Sequence, residues 1–212
     1  MLNIKNQRIL ILAPHTDDAE FGCGATMAKL IEQDNEVFSV SFSACQQSVL
    51  KQFPPDILIT EVKEASLEIG IKKENLVLLD YAVRTFNFKR QEILDDMLNL
   101  RKQIEPTIVF MPTMDDLHQD HLTIAHEGLR AFKFSTILSY ELPWNNLAFK
   151  TSAFSIISED NLQKKINAVS RYKSQAHRNY ANEEFIRSLA RVRGTQINER
   201  YAECFELMRI KF

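Results

Sequence analysis

His15, Thr16, Asp17 and Asp18 stand together in this chain, and so do His118, Gln119, Asp120 and His121. Imidazoles and carboxylates at such spacing can share one divalent cation and leave a further acid free to move a proton. His15 and Asp18, three apart on a turn, reach a single ion, and their mixed nitrogen and oxygen donors suit zinc as well as Fe(II), Co(II) or Mn(II). Asp17 is then the adjacent carboxylate, a candidate base for a water beside the metal. His118 and His121 offer two more imidazoles near a helix start. One completes a three-ligand site with open positions; the other faces the substrate, stabilises an oxyanion and protonates a leaving amine. Asp120 is a candidate partner that holds an imidazole charged and oriented. Asp115 and Asp116 add acids to the same loop. Either cluster alone is readily a capped, solvated turn. Both together, in a chain with only five histidines, point to one metal-dependent hydrolase site. His126 and His177 read as ordinary helix and loop residues.

Apolar, periodic elements must position these clusters. Arg8 to Ala13 reads as a buried strand, followed by a polar turn holding His15 to Asp18, Gly22 and Gly24. A helix over Ala25 to Glu32 and a strand over Glu36 to Phe42 complete a strand–helix–strand unit, the signature of a parallel sheet. Helical spacing returns over Ile57 to Leu67 and Gln91 to Ile104, with strands over Asn75 to Asp80 and Thr107 to Met111. The second cluster follows that last strand, and Leu122 to Ala131 reads as the next helix. Beyond it, Thr136 to Tyr140 and Ala153 to Ile157 read as strands, Asp160 to Arg171 and Asn182 to Arg193 as helices, and Ala202 to Arg209 as either. The expectation is one α/β domain over residues 1–212, a sheet closed by a C-terminal elaboration. Both clusters then lie at strand ends, where open α/β sheets build their sites.

The bulk of the sequence narrows the function further. The chain has 212 residues, 45% hydrophobic and 25% charged, with a net charge of −2. That balance gives no basic surface for nucleic acid or an anionic membrane, and no apolar run approaches a transmembrane length. Three cysteines, Cys23, Cys45 and Cys204, are too few and too scattered for a disulfide framework, so a reducing, cytoplasmic setting is expected.

The segment Ala13-Pro14-His15-Thr16-Asp17-Asp18-Ala19-Glu20-Phe21-Gly22-Cys23-Gly24 resembles the first motif of the LmbE-like (PIG-L) zinc-dependent N-deacetylases, roughly His-Pro-Asp-Asp before a glycine-rich turn and helix. His118-Gln119-Asp120-His121 resembles their second motif, His-x-Asp-His. Ser174-Gln175, Arg193-Gly194 and Tyr201 to Phe205 extend the likeness through the tail. Thr16 stands where the family usually has proline, and Asp116 where some members have a tyrosine. The resemblance implies a Rossmann-like three-layer α/β/α fold with a mostly parallel sheet. It implies His15, Asp18 and His121 as ligands of Zn2+ (with Fe2+ tolerated), Asp17 as the base for the metal-activated water, His118 as electrophile and proton donor, and Asp120 as its support. The implied substrate is a small amino-sugar or glycoconjugate carrying an N-acetyl group, and self-assembly into a homo-oligomer would be in keeping with other members.

Arg84, after the third strand, is a candidate for holding a sugar hydroxyl or a phosphate. Ser43, after the second strand, and Tyr140, near a later strand end, are further candidates for the substrate pocket, with Tyr81 beside them. Trp144 would either stack on a sugar face or pack inward. Gly194 is read as a backbone position with positive φ at the rim. Two other readings compete with a deacetylase. One is a metal-dependent hydrolase of another amide or an ester bond on a sugar- or nucleotide-linked substrate. The other is a sugar- or nucleotide-binding module without catalysis, which the completeness of both motifs disfavours.

Overall fold

The structure, a computed structural model, describes residues 4–211. Strand β1 (Arg8–Ala13) leads into helix α1 (Asp18–Glu32) and strand β2 (Glu36–Ser41). Helix α2 (Ile57–Ile69), the short strand β3 (Leu76–Leu78), helix α3 (Arg90–Ile104) and strand β4 (Ile108–Pro112) follow. Helix α4 (Gln119–Ala131) and strand β5 (Thr136–Tyr140) come next, then β6 (Ala153–Ile156), α5 (Glu159–Ser170), α6 (Glu183–Thr195) and β7 (Ala202–Arg209). The strands form one seven-stranded sheet in the order β3-β2-β1-β4-β5-β7-β6. β1 to β5 pair in parallel, and β7 joins β5 and β6 antiparallel.

Both faces of the sheet are covered, which is why its central strands read as unbroken apolar runs rather than alternating ones. Ile9, Ile11 and Ala13 of β1 pack into a core with Met27, Leu58, Ile69 and Leu162 from α1, α2 and α5. Leu10 and Leu12 point the other way, into a second core with Ile93, Met97, Ile124 and Ala131 from α3 and α4. The result is the expected three-layer α/β/α arrangement. Strand order runs outward in opposite directions from β1 and β4. Chain leaving the carboxyl ends of these two neighbours diverges and opens a crevice. The His15 and His118 clusters follow β1 and β4.

The first helix differs from the sequence expectation. It begins at Asp18, not near Ala25, and bends at Cys23, whose φ of −150° is not helical. Gly22 therefore marks no turn. A Cβ there would lie 2.4 Å from the Tyr140 ring, so glycine lets the helix approach β5. The bend frees backbone groups that distant side chains satisfy. The Glu203 carboxylate accepts the Thr26 and Ala25 amides at 2.7 and 3.3 Å, and Lys165 Nζ donates to Phe21 O and Glu203 Oε1, both at 2.6 Å. Gly194 also departs from expectation. It lies within α6 without positive φ, where a Cβ would meet the Glu199 carbonyl oxygen at 2.7 Å.

Candidate active site

The turn after β1 is built from its own side chains and from below. The Asp18 carboxylate accepts the His15 amide at 2.8 Å, closing a turn across the intervening pair. Tyr172 is fully buried and donates its hydroxyl to the Thr16 carbonyl at 2.7 Å, with Glu20 Oε2 3.1 Å from the same oxygen. Threonine in place of proline thus leaves a turn pinned at its own carbonyl. After β4, Asp116 Oδ1 accepts the His118 amide at 2.8 Å. His118 caps α4, its Nδ1 accepting the Asp120 amide at 3.2 Å. The helix that follows carries His121 inward.

The two turns meet. His15 Nδ1, Asp18 Oδ2 and His121 Nε2 form a triangle with sides of 3.1, 3.2 and 3.2 Å. Ligand atoms about 2.0–2.1 Å from a tetrahedral zinc lie roughly 3.3–3.4 Å from one another, so this triangle is the size such an ion requires. The donor set, two imidazoles and a carboxylate, is of the right chemistry. His118 is the near alternative: one ligand atom each from His15, His118 and His121 lies within 4.8 Å of the others. The triangle through Asp18 is tighter, and His118 Nδ1 is already engaged by a backbone amide.

Each imidazole of the triangle is held from behind by a carboxylate. Asp116 Oδ2 lies 2.9 Å from His121 Nδ1. Asp120, fully buried, places Oδ2 3.1 Å from His15 Nε2 and accepts the Arg84 and Phe86 amides at 2.6 and 3.3 Å. Asp120 therefore supports His15 across the sheet rather than its sequence neighbour His118. Residues two apart on a helix do not face each other. Asp116, in sequence one more acid of the loop and the position where some family members have a tyrosine, is the partner of His121.

Electrostatics follow from this packing. Burial disfavours charge on His121, yet Asp18 and Asp116 outweigh it and push its pKa up to about 10. His15 is likewise raised against its burial, by Asp120 and Asp18. Asp18 is drawn well below the usual carboxylate range by these imidazoles, against its burial. Such mutual stabilisation marks a site built for charge. Asp17 behaves differently. It holds the N-cap position of α1 without using its carboxylate as a cap. Burial and the neighbouring Asp18 raise it to about 6, near the range where a base works at neutral pH. Burial, then the positive His15 and His121, push His118 down to about 4. Because its Nδ1 accepts a backbone N–H, neutral His118 carries its proton on Nε2.

Asp17, His118 and Arg84 line a cleft of about 170 Å3 together with the triangle, Trp144, Arg178 and Tyr180. Trp144 stacks on Tyr180 at 3.7 Å between ring centres and packs edge-on to Phe21 at 5.2 Å, so it forms a wall of the cleft. Ser43 is buried and its Oγ accepts the Cys45 amide at 3.1 Å. It borders an adjoining cavity of about 190 Å3 rather than the cleft itself. Tyr140 is a core residue: it is fully buried and its hydroxyl donates to Leu12 O at 2.9 Å, which removes it from the pocket. Tyr81 spends its hydroxyl on Asp96 at 2.6 Å. Gln175, part of the tail's likeness to the family, also lines the cleft with Arg178 and Tyr180. Arg178 and Tyr180, which no local pattern announces, reach the cleft through a long-range fold of the tail.

Known proteins share this fold. The chain is 25% identical over 177 residues to an Escherichia coli (strain K12) protein described as the uncharacterized deacetylase YaiS, covering 80% of this chain and 92% of that protein. The fold superposes on N,N'-diacetylchitobiose deacetylase from Pyrococcus horikoshii with a TM-score of 0.80 at 24% identity, covering 95% of this chain and 84% of that one. It also superposes on GalB, a 4-carboxy-2-hydroxymuconate hydratase from Pseudomonas putida KT2440, with a TM-score of 0.74 at 15% identity over 99% and 98% of the two chains. These similarities establish the architecture but not the chemistry. The family model for PIG-L, GlcNAc-PI de-N-acetylase, matches residues 10–132, the stretch from β1 through α4 that holds both clusters and every side of the triangle. The chain belongs to the PIG-L family.

Proposed function

We propose that this protein is a metal-dependent hydrolase that removes an N-acetyl group from an amino-sugar of the N-acetylglucosamine type. The observation that carries the proposal is the triangle of His15 Nδ1, Asp18 Oδ2 and His121 Nε2, with Asp17 and His118 beside it on the same cleft. His15, Asp18 and His121 would hold the ion, with zinc favoured by the donor set and Fe(II) compatible with it. A divalent ion there would polarise the acetyl carbonyl and make a neighbouring water easier to deprotonate.

The chain's own groups do the rest. Asp17 takes a proton from the attacking water as oxygen bonds to the acetyl carbon. His118 donates a hydrogen bond from Nε2–H to the carbonyl oxygen as negative charge gathers on it. The carbon–nitrogen bond then breaks, and Asp17 returns the water's proton to the departing amine, leaving acetate and a free amino-sugar. This assigns His118 to the oxyanion rather than to proton delivery, because a neutral, helix-capping imidazole is a good donor and a poor acid. Asp120 and Asp116 act behind the metal ligands, fixing the tautomer and orientation of His15 and His121.

An α/β fold hosts more than one chemistry, and the second reading is hydrolysis of another amide or an ester bond on a sugar- or nucleotide-linked substrate. The three cysteines are free and buried, which supports a reducing, cytoplasmic setting. Among the described residues no helix is long and apolar enough to cross a membrane. All seven strands share one sheet, which supports one catalytic domain over 1–212. Acetate release from N-acetylglucosamine derivatives tests the proposal. Zinc-loaded wild type should release acetate. Folded, zinc-loaded Asp17→Asn and His118→Ala proteins should each lose roughly 10²–10⁴-fold in kcat. Full activity in both variants would refute the assigned roles.

A further inference from the structure

Among the described residues six other than glycine have positive φ: Asn6, Asp34, Cys45, Arg84, Glu105 and Asn198. Asn and Asp tolerate that conformation, and Glu105 follows the last turn of α3, a usual place for it. Cys45 and Arg84 fit neither case, and both border the catalytic cleft. The Cys45 amide goes to Ser43, whereas the Arg84 amide goes to Asp120, the carboxylate behind His15.

Arg84, with φ of +68°, is the third residue of a turn over 82–85. The Thr85 amide and hydroxyl close that turn, donating to the Ala82 carbonyl at 3.3 and 2.7 Å. A turn with positive φ at its third residue favours Gly or Asn there. Thr85 follows with φ of −124° and ψ of 5°. A left-handed residue followed by one of this kind tips successive N–H groups toward a single point and makes a small anion-binding hollow. Here the anion is a side chain of the protein itself. The Arg84 amide reaches Asp120 Oδ2 at 2.6 Å, and the Phe86 amide reaches Oδ1 at 3.3 Å. The Phe86 ring is fully buried and lies 6.1 Å from the His15 ring, centre to centre. The Arg84 side chain takes no part in this. The residue is exposed, and among the described residues its guanidinium has no hydrogen-bond or ion-pair partner.

We propose that Arg84 is a positioning residue for the metal site and acts through its backbone. Its left-handed conformation aims the Arg84 and Phe86 amides at Asp120, which holds the His15 ring from 3.1 Å. A carboxylate that has lost its water needs donors in their place. Asp120 takes two of its three polar contacts from this one turn. Were the turn to relax to negative φ, the Arg84 amide would rotate away from Oδ2, the oxygen that contacts His15. A residue with a Cβ keeps a left-handed conformation only where its surroundings fix it, so the turn and the Asp120–His15 contact stabilise each other. The proposal rests on the metal reading of the triangle and not on which bond is hydrolysed.

Zinc affinity separates backbone from side chain. Full-length wild type, Arg84→Gly, Arg84→Ala and Arg84→Val are titrated with zinc against a chromophoric chelator, and the zinc-free proteins are melted. Glycine and alanine both discard the guanidinium. Glycine adopts positive φ freely, and alanine carries the same Cβ cost as arginine. Both should bind zinc within about twofold of wild type. Valine, branched at Cβ, is an outlier at positive φ. It should lose roughly tenfold or more in zinc affinity, the scale of losing a partner behind a ligand. Arg84→Thr, also branched, should fall the same way and replaces valine if that protein does not fold. Equal affinity across the series would overturn the proposal, as would a valine protein whose zinc-free melt drops while its zinc affinity holds. Equal losses in every variant would assign the effect to the guanidinium and overturn it too. Acetate release by wild type from N-acetylglucosamine derivatives is read alongside. The expected zinc series without acetate would uphold the positioning role and refute the deacetylase reading. No zinc binding by wild type would refute the metal site and the proposal with it.

Discussion

Replacing Asp120 with asparagine separates a role behind the metal from a role behind His118. Both carboxylate oxygens are committed: Oδ2 to His15 Nε2 and the Arg84 amide, Oδ1 to the Phe86 amide. Every one of those partners is a donor once His15 uses Nδ1 for a metal. An asparagine has one acceptor oxygen. If it faces His15 and Arg84, its NH2 meets the Phe86 N–H donor to donor in a fully buried position. That mismatch costs about 1–3 kcal/mol of folding stability. For a chain of this size each kcal/mol moves the melting temperature by about 2–4 °C, so metal-free Asp120→Asn should melt roughly 2–12 °C lower. His15 also loses its charged partner, and losses of this kind behind a ligand cost roughly tenfold to a hundredfold in metal affinity. Competition for zinc against a chromophoric chelator reads that directly. If Asp120 instead served His118, zinc affinity would stay within about twofold of wild type while kcat fell, and that result would refute the geometry described here.

Other consequences are as sharp. Asp17 must be ionised to accept a proton and titrates near 6 in the metal-free chain. kcat/KM should therefore rise with pH to a plateau, with its acidic limb at or below about pH 6 because a bound cation lowers it further. The limb should vanish in Asp17→Asn, and an unchanged limb in that variant would remove Asp17 as the base. Tyr140→Phe should cost about 0.5–1.5 kcal/mol through the lost bond to Leu12 O while KM stays put; a raised KM would return Tyr140 to the pocket. Lys165→Met leaves Glu203 buried without its cation, a loss of about 3–5 kcal/mol when a buried pair is broken. The two α1 amides that Glu203 still accepts place the expected drop at the lower end, and an unshifted thermal melt would contradict the bridging role across the α1 bend.

Much of this molecule can be read from its residues. β1, from Arg8 to Ala13, and β5, from Thr136 to Tyr140, begin and end where the sequence reading puts them, because both faces of the sheet are covered and the strands are dominated by apolar residues. The two clusters announce themselves because metal chemistry needs imidazole and carboxylate within a few residues at a strand end. Most failures of the sequence reading come from long-range contact. Gly22 looks like a turn residue until the Tyr140 ring is seen against it. The pairing of Asp120 with His15 spans 105 residues, and the nearer histidine draws the eye although helix geometry turns it away. Tyr140 sits at a strand end, yet that end is buried beneath α1. Arg178 lies on the cleft only because Glu61, far upstream on α2, holds Ser174.

The central claim is that the two clusters make one metal-dependent deacetylating site. Zinc-free protein should be titrated with zinc while acetate is measured from an N-acetylglucosamine substrate. Acetate release should start near zero and rise to a plateau at about one ion per chain, the stoichiometry of a three-ligand catalytic site. Release that is already maximal without metal, or no release at full zinc occupancy across neutral and anionic substrates, would contradict it.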